Sequence, residues 1–107
     1  MDNEFIFVKV GTIINKIRLA DIYAIESEGN YCTIKTTNQS YLQRSSLTKM
    51  KGKLEAQGFI QINKSTLLPI KRIDHINLTI NEIGIAGHTY NLSRSFRKEL
   101  IETLNLL

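Results

Sequence analysis

The sequence has one cysteine, one proline, two histidines and no tryptophan among 107 residues. A lone cysteine, Cys32, cannot close an internal disulfide, so the fold must rest on its core, and a reducing compartment is the simple expectation. No apolar run approaches the roughly 18 residues of a membrane span, and the mean hydropathy is −0.14. The opening residues Met1-Asp2-Asn3-Glu4 are polar and acidic, without the basic start of a secretory signal. A cytoplasmic chain with no membrane partner is therefore expected. The means for catalysis are equally sparse. His75 and His88 have neither metal-ligand spacing nor a cysteine nearby, so no metal is expected. Cys32 lies in an apolar strand pattern without a companion histidine and reads as a core thiol. No phosphate-cradling or dinucleotide-binding glycine pattern occurs. The chain reads as a non-enzyme without a cofactor.

What is present suits one domain. Hydrophobic residues make up 42% of the chain, enough for a modest core. The net charge of +4 is unevenly placed. Residues 31–75 carry eight basic side chains against two acidic ones, whereas residues 1–30 are net acidic and 76–107 are balanced. A basic middle attracts polyanions by releasing their counterions, although a solvated face with no partner has the same composition.

Short β patterns dominate. Glu4–Val10, Thr12–Arg18, Ile22–Ser27, Tyr31–Thr36 and Ser40–Arg44 read as strands separated by turn residues, among them Glu28-Gly29-Asn30. From Ser46 the period changes: Leu47, Met50 and Leu54 fall at helical spacing, with Ser45 or Ser46 as the cap and Gly58 as the stop. Strands resume at Phe59–Ile62 and Thr66–Leu68, parted by the polar Asn63-Lys64-Ser65, and Pro69 marks an edge or bend. Ile73–Ile80 reads as a strand turned at Asn81-Glu82, then Ile83–Ala86 and Thr89–Leu92 as a hairpin. Phe96, Leu100, Ile101 and Leu104 line a terminal helix capped by Ser93 or Ser95. The expected fold is mainly β: about ten short strands in antiparallel sheets, with two short helices.

Three stretches in this order resemble the LytTR family of bacterial DNA-binding domains: Ile22-Tyr23-Ala24-Ile25-Glu26-Ser27-Glu28-Gly29-Asn30-Tyr31-Cys32-Thr33-Ile34, then Phe59-Ile60-Gln61-Ile62-Asn63-Lys64-Ser65-Thr66-Leu67-Leu68-Pro69, then Tyr90-Asn91-Leu92-Ser93-Arg94-Ser95-Phe96-Arg97-Lys98. The family pattern is "I-x-Y-I-E-x-x-x-x-Y-x-x-I", a Leu-containing helix, "F-x-R-x-H-R-S-Y-I-V-N" and "S-R-x-Y/F". The resemblance covers residues from about 5 to about 104 of the single domain 1–107. It implies three antiparallel sheets and a DNA interface made of loops that enter successive major grooves and bend the duplex. It also implies the output domain of a two-component response regulator, with a receiver domain in a longer chain, since 107 residues leave no room for one. Two copies on direct repeats of double-stranded DNA are expected, with the isolated domain a monomer and pairing on the DNA.

Carried over residue by residue, the resemblance makes Asn30, Tyr31, Asn63, Lys64 and Arg94 the base-contact candidates. Phosphate-contact candidates are Arg44, Ser65, Lys71, Arg72, Ser93 and Arg97. Asn30 is also explained by its turn, Tyr31 either packs on the sheet or reaches outward, and Arg44, Lys71 and Arg72 equally suit a solvated edge that discourages strand pairing. The sequence departs from the pattern where Asn63-Lys64 replaces His-Arg, Gln61 replaces Arg and Pro69 replaces Asn. Lys lacks the planar fork of Arg, so Lys64 suits a phosphate as well as a base, and a distinct target sequence is expected. The alternative is a β-rich module for protein or single-stranded nucleic acid. The scattered aromatics argue against a stacking platform.

Overall fold

A computed structural model describes residues 4–107. Among these residues, ten strands fall into three antiparallel sheets. A hairpin pairs β1 (Phe5–Val10) with β2 (Ile13–Arg18). The central sheet has five strands: β3 (Ile22–Glu28), β4 (Tyr31–Thr36), β5 (Ser40–Arg44), β6 (Phe59–Asn63) and β7 (Thr66–Pro69), in the order β5-β4-β3-β7-β6. A third sheet orders β8 (Ile73–Asn77), β9 (Glu82–Ile85) and β10 (His88–Asn91) as β10-β9-β8. The helices are α1 (Leu47–Leu54) and α2 (Arg94–Thr103). The expected mostly β fold is the observed one.

Inside the central sheet, β7 is buried on both faces, whereas β4 buries one face and β5 lies at the open edge. Successive side chains of a strand point to opposite faces. Leu67 and Leu68, both fully buried neighbours on β7, therefore enter different cores. On one side Leu67 joins Ile25, Ile34 and Phe59 with Val8 and Ile17 of the hairpin and Leu47 and Leu54 of α1. On the other, Leu68 joins Ala24, Ile60 and Ile62 with Ile83 and Ile85 of β9, Leu92, and Leu100 of α2.

Local chemistry sets the element ends. The Ser46 hydroxyl accepts the Lys49 N–H at 3.1 Å and starts α1. A 3-10 turn at Glu55–Gln57 follows α1, and Gly58 then takes φ +88°, a left-handed conformation that suits glycine. Pro69 ends β7 at a bend into a second 3-10 turn, Ile70–Arg72. One strand is shorter than its apolar pattern suggests. β8 stops at Asn77, because the Asn77 Oδ1 accepts the N–H groups of Thr79 (2.9 Å) and Ile80 (3.3 Å). That side-chain bond replaces the ladder and makes Leu78–Asn81 a turn, with Asn81 at φ +53°. Glu82 accordingly belongs to β9 and not to the turn.

Candidate nucleic-acid interface

The loops that follow β3, β6 and β10 meet along one rim, fastened largely by main-chain atoms. At the β3–β4 turn, Gly29 takes φ +61°, and the Asn30 carbonyl accepts the Ser45 N–H at 3.1 Å. This joins the turn to the start of α1. Next, the Ser27 N–H donates to the Ser65 carbonyl at 2.8 Å, joining β3 to the β6–β7 turn. The Ser93 N–H then donates to the Ile62 carbonyl at 2.9 Å, which seats the β10–α2 junction against β6. One side chain reinforces the series: Asn63 Nδ2 donates to the Asn91 carbonyl at 2.8 Å. Asn30, Lys64 and Arg94 are thereby held on consecutive loops of one rim.

The sequence candidates divide on inspection. Asn30, Tyr31, Arg44, Lys64 and Arg94 are exposed on this rim, and Tyr31 pairs across the strand ends with both Glu28 and Arg44. Neither ion pair found among the described residues, Arg18–Asp21 or Lys35–Glu26, involves Arg44, Lys64 or Arg94. All three are exposed, and Glu28 is separated from Arg44 by Tyr31, which pairs with both. An open recess lined by Gly29, Asn30, Arg44, Ser45, Ser46 and Lys49 continues the basic surface onto α1. Ser93 holds the N-cap position of α2 yet makes no capping bond with its side chain, so the hydroxyl remains beside the helix's positive end.

Other candidates are committed elsewhere. Asn63 is half-buried, and besides the bond to Asn91 its Oδ1 accepts both the N–H (2.9 Å) and the hydroxyl (3.2 Å) of Ser65. Both side chains thus shape the turn that displays Lys64. Arg97 is half-buried too. Its Nη1 donates to the Leu78 carbonyl at 3.2 Å and to Asn81 Oδ1 at 2.9 Å, bracing the β8–β9 turn. Lys71 and Arg72 lie beyond Pro69, at the opposite end of β7 from Lys64, roughly 13 Å away by strand rise. Arg72 there donates to the Asp21 carbonyl at 3.1 Å. The sequence alone put these two cations with the basic middle of the chain, and the fold separates them from the rim. Sequence reading also missed the β8–β9 turn as a neighbour of the rim. The one available signal was Asn77, a turn-forming side chain inside an apolar run.

Behind the rim, Tyr90 of β10 donates to Glu26 Oε2 of β3 at 2.8 Å, and Lys35 Nζ lies 3.0 Å from the same oxygen. Burial and the Glu26 carboxylate push the Tyr90 hydroxyl well above the ordinary tyrosine range. Burial also raises the Cys32 thiol, whose Sγ lies 3.3 Å from the Ser45 carbonyl. Among the described residues no cluster of His, Cys, Asp or Glu is arranged to hold a metal ion, and no helix is long and apolar enough to cross a membrane.

The arrangement is that of a mostly β binding module with a cationic loop rim. Residues 13–105 match the family model of the LytTr DNA-binding domain. The chain is 29% identical over 94 residues to the sensory transduction protein LytR of Streptococcus mutans, a match that covers 84% of this chain and 38% of that protein. It is 30% identical over 103 residues to the protein of the same name from Staphylococcus epidermidis, covering 92% and 41%. The chain thus spans about two-fifths of the length of the curated relatives it matches. A solved LytTr DNA-binding domain of a response regulator from Bacillus cereus shares the fold, with a TM-score of 0.80 over 95% of this chain and 97% of that one at 13% identity. The chain belongs to the LytTr DNA-binding domain family.

Proposed function

We propose that this domain binds duplex DNA sequence-specifically and serves as the output domain of a bacterial transcriptional regulator. The observation that carries this reading is the fastened rim, on which Asn30, Lys64 and Arg94 stand on three consecutive loops. Arg94, at the start of α2, reads guanine O6 and N7 in a major groove, where its fork has two acceptors to match. Lys64, a point charge at a hairpin tip, anchors a phosphate or contacts a base edge one loop away. Arg44 and Ser93 hold phosphates on either side. Asn63 and Ser65 act as positioning residues for Lys64, and Arg97 as one for the neighbouring turn.

The family membership supports DNA as the ligand, and the name of the longer relatives supports a place in signal transduction. The fraction of those relatives that is matched leaves room for a receiver domain in a longer chain. In this reading the protein works in the cytoplasm, is monomeric when isolated, and pairs on direct repeats. Tyr31 is the exposed aromatic on the rim, too small a platform for the serial base stacking of single-strand binders.

The test is selection from a randomised duplex pool, followed by fluorescence anisotropy at two salt concentrations. Enrichment of a short motif whose affinity falls steeply with salt is expected. Equal binding of all duplexes, or tighter binding of single strands, overturns the reading.

A further inference from the structure

The β8–β9 turn exposes two large aliphatic side chains, Ile80 at 57% and Leu78 at 39% exposure. Neither core requires them, since neither residue belongs to either buried cluster. The turn does not require Ile80 either. Turns favour Gly, Asn, Asp and Ser, and a β-branched residue is a poor choice among them. Closure of this turn is accomplished by other atoms, chiefly the Asn77 side chain and the left-handed Asn81.

The turn is also unusually well fastened for a loop tip. Arg97 of α2 donates to the Leu78 carbonyl and to the Asn81 side chain. The Asn81 carbonyl accepts the Leu92 N–H at 2.8 Å, two residues before Arg94. The turn and the start of α2 are therefore tied together, with Arg94 and Lys98 exposed on the same helix as the Arg97 that holds the tip. Rigidity of this kind lowers the ordering cost of a contact.

We infer that Ile80, flanked by Leu78, supplies a DNA contact from a fourth loop, an apolar one that recognises the C5-methyl of a thymine in the major groove next to the Arg94 site. The inference rests on the duplex reading above. Thymine is the base whose major-groove edge carries a methyl group, and apolar side chains select it. The argument for this occupant is continuity: the tip extends the same rim by one loop, and the cations beside it hold the phosphates that bring the base edge into reach.

The experiment uses the duplex enriched from a random pool by the unmodified protein. Each thymine is replaced singly by deoxyuridine, which lacks only the methyl. One position is expected to lose affinity about fourfold, the value of one buried methyl-sized group. Ile80→Ser should lose a similar factor on the thymine duplex and show no further loss on the uridine duplex, as expected for two halves of one contact. Its thermal midpoint should not change, because Ile80 packs in neither core. If no thymine is sensitive, or if Ile80→Ser keeps the full uridine penalty, the inference fails. An equal loss by Ile80→Ser on every duplex, pointing to the sugar, also overturns it. Failure of any duplex to be enriched is a different result, and it sinks the duplex reading itself.

Discussion

Tyr90 and Glu26 stand 64 residues apart in the chain and share a 2.8 Å hydrogen bond that joins the third sheet to the central one. With Tyr23 of β3 stacked on His88 of β10 at 4.7 Å between centroids, it places β10 against β3 just behind the rim. A hydrogen bond to a charged acceptor contributes about 1.5–3 kcal/mol. Glu26 is one-third exposed, so solvent screening leaves the lower part of that range. Tyr90→Phe should therefore lower unfolding stability by about 1.5 kcal/mol, read by urea denaturation.

The same pair predicts an alkaline effect. The folded Tyr90 hydroxyl holds its proton above the ordinary value of 10.0 that the unfolded chain would show. The unfolded state thus binds fewer protons than the native one once pH exceeds 10.0, and stability falls as pH rises from there. The contribution is fully present below that pH. Tyr90→Phe should flatten the decline in a series of melts at increasing alkalinity. An unaltered slope would mean that Tyr90 does not govern it.

Asn63 and Lys64 are adjacent but should behave differently. Asn63→Ala removes the bond to Asn91 and leaves the Ser65 N–H without its partner, at an expected cost of about 1–2 kcal/mol in folding stability. DNA affinity should fall with it. Lys64→Ala should leave the melting temperature unchanged. If Lys64 anchors a phosphate, binding weakens on all sequences alike and the salt slope falls by about one. A base contact would show instead as relaxed preference at one position.

Arg94→Ala should cost about 1–3 kcal/mol of specific binding and broaden the selected motif. A double variant of Lys71 and Arg72 to Ala should leave specific affinity within about twofold, because both lie at the far end of the sheet, beyond a Debye length of about 8–10 Å from Lys64. A tenfold loss in that variant would show that the duplex wraps past the rim.

Leu67→Ala and Leu68→Ala each remove a fully buried side chain, and each should destabilise by about 2–5 kcal/mol. They open different cores. Amide exchange should therefore rise first around α1 and the β1–β2 hairpin for Leu67, and around β9 and α2 for Leu68.

Much of this was legible in the sequence because local rules govern it. Alternation marked the strands, the Leu47–Met50–Leu54 spacing marked α1, and the three motif stretches marked the loops that form the rim. The rest depended on partners distant in the chain. The sequence offers Asn63 as a base reader, and only the fold brings Asn91, 28 residues on, within reach of its amide. The sequence likewise offers Arg97 without its partners, the Leu78 carbonyl and Asn81, which lie 19 and 16 residues before it. Lys71 and Arg72 were counted with Lys64 because charge along a sequence carries no information about which end of a strand it occupies. The early end of β8 arises because the Asn77 side chain outcompetes the ladder for the Thr79 and Ile80 N–H groups, which strand alternation does not reveal.

The rim is stitched mostly through peptide groups: Asn30 to Ser45, Ser27 to Ser65, Ile62 to Ser93. Peptide groups are common to all residue types, so the shape of the rim is largely independent of the side chains displayed on it. Exchanging Asn30, Lys64 or Arg94 changes the side chains on show while leaving these peptide bonds of the frame intact. If the rim reads DNA as proposed, a few outward-facing substitutions would change its target without passing through an unfolded intermediate sequence. At the β6–β7 turn the two tasks fall on neighbours: Asn63 holds the turn through Asn91 and Ser65, while Lys64 stands exposed at its tip and carries none of those bonds.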